Sequence, residues 1–147
     1  MRVMTRLSRR AQTLPGAPAV GWRDRRRLAK KRARAIEYSR GLDNKRRLYG
    51  ELIAAARASR AELQALAAEL AEIAGTVAKR WRAQVDHYLP LIARIIAQSE
   101  RRVLNGEAVP AGEKLVSLFE PHADIIVRAV VRSNTATSST WLPAKAA

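Results

Sequence analysis

Residues 48–103 read "LYGELIAAARASRAELQALAAELAEIAGTVAKRWRAQVDHYLPLIARIIAQSERRV". Apolar or small side chains recur here by threes and fours: Leu48, Leu52, Ala55, Ser59, Leu63, Leu66, Leu70, Ile73, Val77 and Trp81. The same phase runs on through Val85, Tyr88, Ile92, Ile95, Ser99 and Val103 until Asn105 and Gly106 end it. That spacing places one apolar seam along a long helical element. Two residues interrupt it. Gly75 is followed by Thr76, a residue able to cap a new helix, and Pro90 removes one backbone donor. The seam therefore predicts an antiparallel helical hairpin over 43–106, turning near Gly75 and kinked at Pro90. One long bent helix is the alternative.

Outward from the seam, composition supports helices. Ala, Leu, Glu, Lys and Arg make up 80 of the 147 residues, a bias toward long helix rather than mixed sheet. Aromatic residues are only 5%, so a thin aliphatic core is expected. Residues 1–12 fit a short helix with Val3, Met4 and Leu7 at helical spacing, ending in the Pro/Gly-rich "TLPGAPAVG". Residues 22–40 form a second helix-prone stretch with few apolar anchors: Leu28, Ala35 and either Ile36 or Tyr38. Gly41 suits the end of that helix, and Asp43 or Asn44 the start of the next. After Pro110 the texture changes to β-branched residues, and a lone strand over 124–131 is expected. The fold class predicted is all-α, with a basic N-terminal helical region over 1–42 and a disordered or lone-strand C-terminal tail.

The net charge of +15 is uneven. Residues 1–60 carry 18 Lys/Arg against 4 Asp/Glu, whereas residues 61–147 carry 10 against 9. Such a basic block favours replacement of the cations along a phosphate backbone, so nucleic acid is the first partner to consider and an anionic membrane the second. The candidate contacts are Arg23, Arg25, Arg26, Arg27, Lys30, Lys31, Arg32, Arg34, Lys45, Arg46 and Arg47. Trp22, Tyr38 and Tyr49 have faces on which bases could stack, although aromatic residues at helix ends more often pack. No cysteine is present, and neither His87 nor His122 has a second ligand at metal-binding spacing. No metal site is expected. No apolar run reaches bilayer length, and residues 1–12 are too charged for a signal-peptide core, which predicts a soluble, cytoplasmic chain without membrane partners.

Four stretches carry a resemblance: "RVMTRLSRRAQ" (2–12), "GWRDRRRLAKKRARAIEYSR" (21–40), "RRLYGELIAAAR" (46–57) and "RRVLNGEAVPAGEKLVSLFEPHADII" (101–126). In this order they resemble the middle segment of insertion-sequence transposases of the ISNCY group. The most specific portion is 101–126, where Ala123 stands in place of the family's usual threonine. The resemblance implies DNA transposition, transposon-end DNA as partner, and magnesium as the cofactor of the full-length enzyme. It also implies a helical insertion between the parts of a DDE-type catalytic domain, which needs three carboxylates on two divalent ions.

None of the four aspartates matches the family's catalytic motifs, so no catalytic residue is assigned. Asp24 reads as an intrahelical partner of nearby arginines, Asp43 as a cap, Asp86 as helix surface, and Asp124 as part of the lead-in. Residues 107–127 are then the lead-in to a missing catalytic domain. Residues 128–147 differ from the family's continuation. Codons permitted for 134–146 include a series whose alternate frame reads Tyr-Gly-His-Lys-Leu-Asn-Leu, the expected continuation, and the single codon of Trp141 fits it. The tail is accordingly expected to be an out-of-frame peptide, and the chain a transposase fragment without cofactor of its own. The alternatives are an autonomous basic nucleic-acid-binding protein and a coiled-coil protein that self-associates, or joins a full-length transposase, through the seam.

Overall fold

The computed structural model describes residues 1–15, 17, 21–115 and 117–120. The strand expected over 124–131, His122, Asp124 and the tail over 128–147 lie outside the described residues. Four α-helices follow in order: α1 (Arg2–Gln12), α2 (Arg26–Tyr38), α3 (Leu42–Glu69) and α4 (Thr76–Ser99). A π-helical turn (Glu100–Leu104) extends α4, and a 3-10 turn (Ala111–Glu113) follows. Among the described residues there is no strand, and the all-α expectation holds.

The break between α3 and α4 falls at residues 70–75. Gly75 has φ 118°, a value that side-chain-bearing residues rarely adopt, and it occupies the N-cap position itself. Thr76 is the first helical residue and makes no capping bond. Arg82, one and a half turns into α4, reaches back to the carbonyl oxygens of Ala71 and Ile73 in the connection itself and so closes it onto α4. Pro90 stays inside α4. Helices α3 and α4 pack on each other, and Arg57 of α3 pairs with Glu100 just beyond α4 at 2.6 Å.

Much of the seam is buried as read: Leu63, Leu66, Leu70, Trp81 and Val85 are each at most 1% exposed. Beyond the break Trp81, Val85 and Ile92 keep its phase, with single-residue departures on either side. Val77 faces solvent and Ala78 is buried instead, while Ile53 and Ile96 are buried on the flanks of the expected line.

Helix α1 is part of the same core. Val3, Met4, Leu7 and Ala11 pack with Leu63, Leu66, Trp81 and Val85 in one apolar cluster. The Trp81 indole N–H donates to the carbonyl of Leu7 at 2.9 Å, a buried bond between residues 74 apart. Beyond α4, Gln98 takes both backbone groups of Leu115, accepting from its N–H at 2.9 Å and donating to its carbonyl at 3.2 Å. Arg94 donates to the Glu113 carbonyl at 2.8 Å. These bonds hold the first part of the 107–127 segment against α4, with Leu115 buried.

Helix α2 differs from expectation. It spans Arg26–Tyr38 rather than 22–40, and it buries only Ala29. Leu28 and Tyr38 are exposed and Ala35 and Ile36 half-buried, so the anchors read from the sequence are not buried. Gly41 does not close α2. Ser39 does, and Gly41, at φ 88°, precedes α3. Neither Asp43 nor Asn44 caps that helix: Asp43 lies in its first turn, and Asn44 Nδ2 donates to Ser39 Oγ at 2.8 Å.

Replacing Trp81 tests the core. Trp81→Ala should lower unfolding free energy by about 3–5 kcal/mol, and Trp81→Phe by about 1–3 kcal/mol through the lost indole bond and the smaller ring. Urea denaturation followed by circular dichroism reads both.

Candidate nucleic-acid interface

The candidate interface lies on α2, whose cations divide by face. Positions 25, 29, 32 and 36 are spaced by fours and threes and turn toward α3. On this side Arg25 makes a two-pronged pair with Glu62 of α3, at 2.6 and 2.7 Å. Arg32 Nε lies 2.5 Å from Glu51 of α3, an ion contact without hydrogen-bond alignment. The Arg23 backbone N–H also donates to Glu62, at 3.1 Å. With one small side chain buried, α2 is held to the core mainly through these charged contacts.

Positions 27, 30, 31 and 34 fall on the opposite side. Arg27, Lys30, Lys31 and Arg34 are all exposed, and none pairs with a carboxylate among the described residues. They surround one open surface depression. The candidate set read from the sequence therefore separates. Arg25, Arg26, Arg32 and Arg47 are engaged by Glu62, Asp24, Glu51 and Glu51 respectively. Arg27, Lys30, Lys31 and Arg34 share one outward face, while Lys45 and Arg46 stand on the first turns of α3.

Asp24 is not an intrahelical partner. It lies before α2 and accepts from Arg9 of α1 at 3.0 Å, from the Arg26 guanidinium at 2.9 Å and from the Arg26 backbone N–H at 3.0 Å. One carboxylate thus takes the backbone N–H of the first residue of α2 and ties that helix to α1. Hydrogen bonds from Arg26, first from its side chain and then its backbone, pull the Asp24 carboxyl down from 3.8 to about 2. The Arg25 guanidinium likewise holds Glu62 below the usual carboxylate range.

The arginines of α1 are not among the contacts expected from the sequence. The buried positions 3, 4, 7 and 11 of that helix leave Arg2, Arg6, Arg9 and Arg10 exposed on the other side. Arg2 and Arg9 of α1 face Arg26, Arg27 and Lys30 of α2 across a cleft of about 820 Å³, with Asp24 as its carboxylate. The signal was present in the alternation of arginines with Val3, Met4 and Leu7. What the linear pattern lacked was the packing that puts α1 beside α2.

Among the described residues no three His, Cys, Asp or Glu side chains form a group able to hold a metal ion. Asp43 and Asp86 are exposed on different helices. His87 packs edge-on against Tyr88, with ring centroids 4.9 Å apart. Among the described residues no helix is long and apolar enough to cross a membrane. No family model, curated protein or solved structure matches this chain.

Two outcomes follow from these ion pairs. Glu62→Gln should cost about 1–3 kcal/mol, toward the lower end because the pair is partly wet, as measured in urea. Asp24 binds its proton more weakly in the folded chain than in the unfolded one. Its contribution is therefore complete above pH 3.8 and disappears as the pH falls through about 2. Asp24→Asn should flatten that part of the acid-unfolding curve.

Proposed function

We propose that this chain binds the phosphate backbone of nucleic acid through the outward faces of α1 and α2, as the DNA-contacting helical region of an insertion-sequence transposase of the kind it resembles. The observation that carries the reading is the division of α2 into two faces. Carboxylates of α3 meet the cations on one side, and the four on the other are left to water. Counter-charge with no carboxylate partner among the described residues, arranged on one helix face, suits a polyanion.

Helix geometry puts Arg27 and Arg34 about 10 Å apart along the axis, a span comparable with a few successive phosphates. The α1 arginines widen the track across the cleft. Contacts of this type fix position on a strand without reading its sequence. Transposon ends, as the DNA partner, are what the resemblance over 2–12, 21–40, 46–57 and 101–126 contributes to the proposal. The proposal contains no strand-cutting step for this chain, so magnesium-dependent cleavage of a transposon-end substrate would overturn that part.

The coiled-coil reading receives less support. The apolar positions on which it relies, such as Leu63, Leu66, Leu70 and Val85, are already covered within a single chain.

Binding to a labelled duplex should weaken steeply with salt. Replacing Arg27, Lys30, Lys31 and Arg34 together with alanine should reduce the slope of log K against log salt by roughly one for each phosphate that is no longer neutralised. Glu37→Gln, on the same helix, should leave that slope no shallower. A wild-type slope near zero would remove the proposal.

A further inference from the structure

The cationic face of α2 ends in an aromatic ring. Positions 27, 31, 34 and 38 are separated by four, three and four residues, so Tyr38 stands on the same face as Arg27, Lys31 and Arg34. Tyr38 is 80% exposed, the most exposed of the large apolar side chains among the described residues. It does not pack, and its hydroxyl has no hydrogen-bond partner there. Four residues on, Leu42 is 75% exposed at the first position of α3. Arg40 lies between them in sequence and Arg46 one turn beyond Leu42; neither pairs with a carboxylate among the described residues.

We infer that the α2–α3 elbow takes an unpaired nucleobase, which stacks on Tyr38 while Arg27, Lys31 and Arg34 hold the adjoining phosphates. This rests on the nucleic-acid reading above and deepens it. The preferred ligand becomes a single-stranded or locally unpaired stretch rather than an uninterrupted duplex. From Arg27 to Tyr38 the face runs about 16 Å, room for a few nucleotides.

The chemistry of the two ends of this face is the reason. Guanidinium and ammonium groups match phosphate, and a solvated aromatic ring matches the π-face that every base presents. In a continuous duplex the bases are stacked on one another and their faces are closed to a side chain. A strand with a free base satisfies both ends together. Glu37, the nearest carboxylate on α2, lies about a quarter-turn from this face by its position and does not interrupt it. An anionic membrane surface would also accept the cations. The large exposed apolar side chains at this elbow, however, are one ring and one leucine, a small area for insertion into lipid.

The test compares the full chain with Tyr38→Ala and Tyr38→Phe on a labelled single-stranded oligonucleotide and on a duplex of equal length, across a salt series. Tyr38→Ala should weaken single-strand binding about five- to hundred-fold, change duplex binding little and leave the single-strand salt slope unaltered, because no cation is removed. Tyr38→Phe should restore the affinity. Since Tyr38 is solvent-exposed, all three proteins should give the same helical circular-dichroism signal. Single-strand binding unchanged in Tyr38→Ala, with the salt slope intact, would overturn this inference and leave the phosphate-binding reading standing. Absence of salt-dependent binding to either oligonucleotide would overturn both. Vesicles of phosphatidylserine that bind the chain in a Tyr38-dependent way, while single strands do not, would likewise overturn it in favour of a lipid surface.

Discussion

The buried bond from the Trp81 indole to the Leu7 carbonyl is the tie on which the arrangement of this molecule depends. Trp81 is completely buried in a core otherwise almost wholly aliphatic, and an indole N–H at such depth needs an acceptor. Its acceptor lies on α1. Burial of the ring and satisfaction of its polar edge therefore require the first helix to lie against the fourth. Leu7 and Ala11 enter the core with it, each fully buried.

That placement reaches the surface in two steps. Once Val3, Met4 and Leu7 point inward, the arginines between them point outward. Arg9 is then positioned to bond Asp24, whose carboxylate starts α2. Helix α2 cannot locate itself by apolar packing, because it buries only Ala29. Ion pairs to Glu62 and Glu51 on α3 set its rotation, and by setting it they decide which of its cations stay free. Partly wet pairs contribute modestly to stability. Their larger effect here is orientation: the same pairs that secure one face leave the opposite face without a carboxylate partner among the described residues.

The charge of the N-terminal region is thus two populations in different surroundings. Arg25 and Arg32 pair with carboxylates of α3, whereas Arg27, Lys30, Lys31 and Arg34 are exposed and pair with no carboxylate among the described residues. Composition counts them alike. Only the presence of a carboxylate on the facing helix distinguishes them, and Glu51 and Glu62 are 19 and 37 residues from the arginines they engage.

The sequence by itself determined the helical class, the extent of α1, the break before Thr76 and much of the buried seam. These follow from local periodicity and from glycine at a positive φ, both properties of short stretches of chain. It also determined where the positive charge lies. Tertiary structure decided the rest. The entry of α1 into the core, the role of Asp24 as a link between helices, and the exposure of Tyr38 all depend on contacts between distant residues. The weakly apolar α2 shows the reason most plainly. With Ala29 as its one buried side chain, its own pattern held too little information to say which face turns inward, and the carboxylates of another helix made that choice.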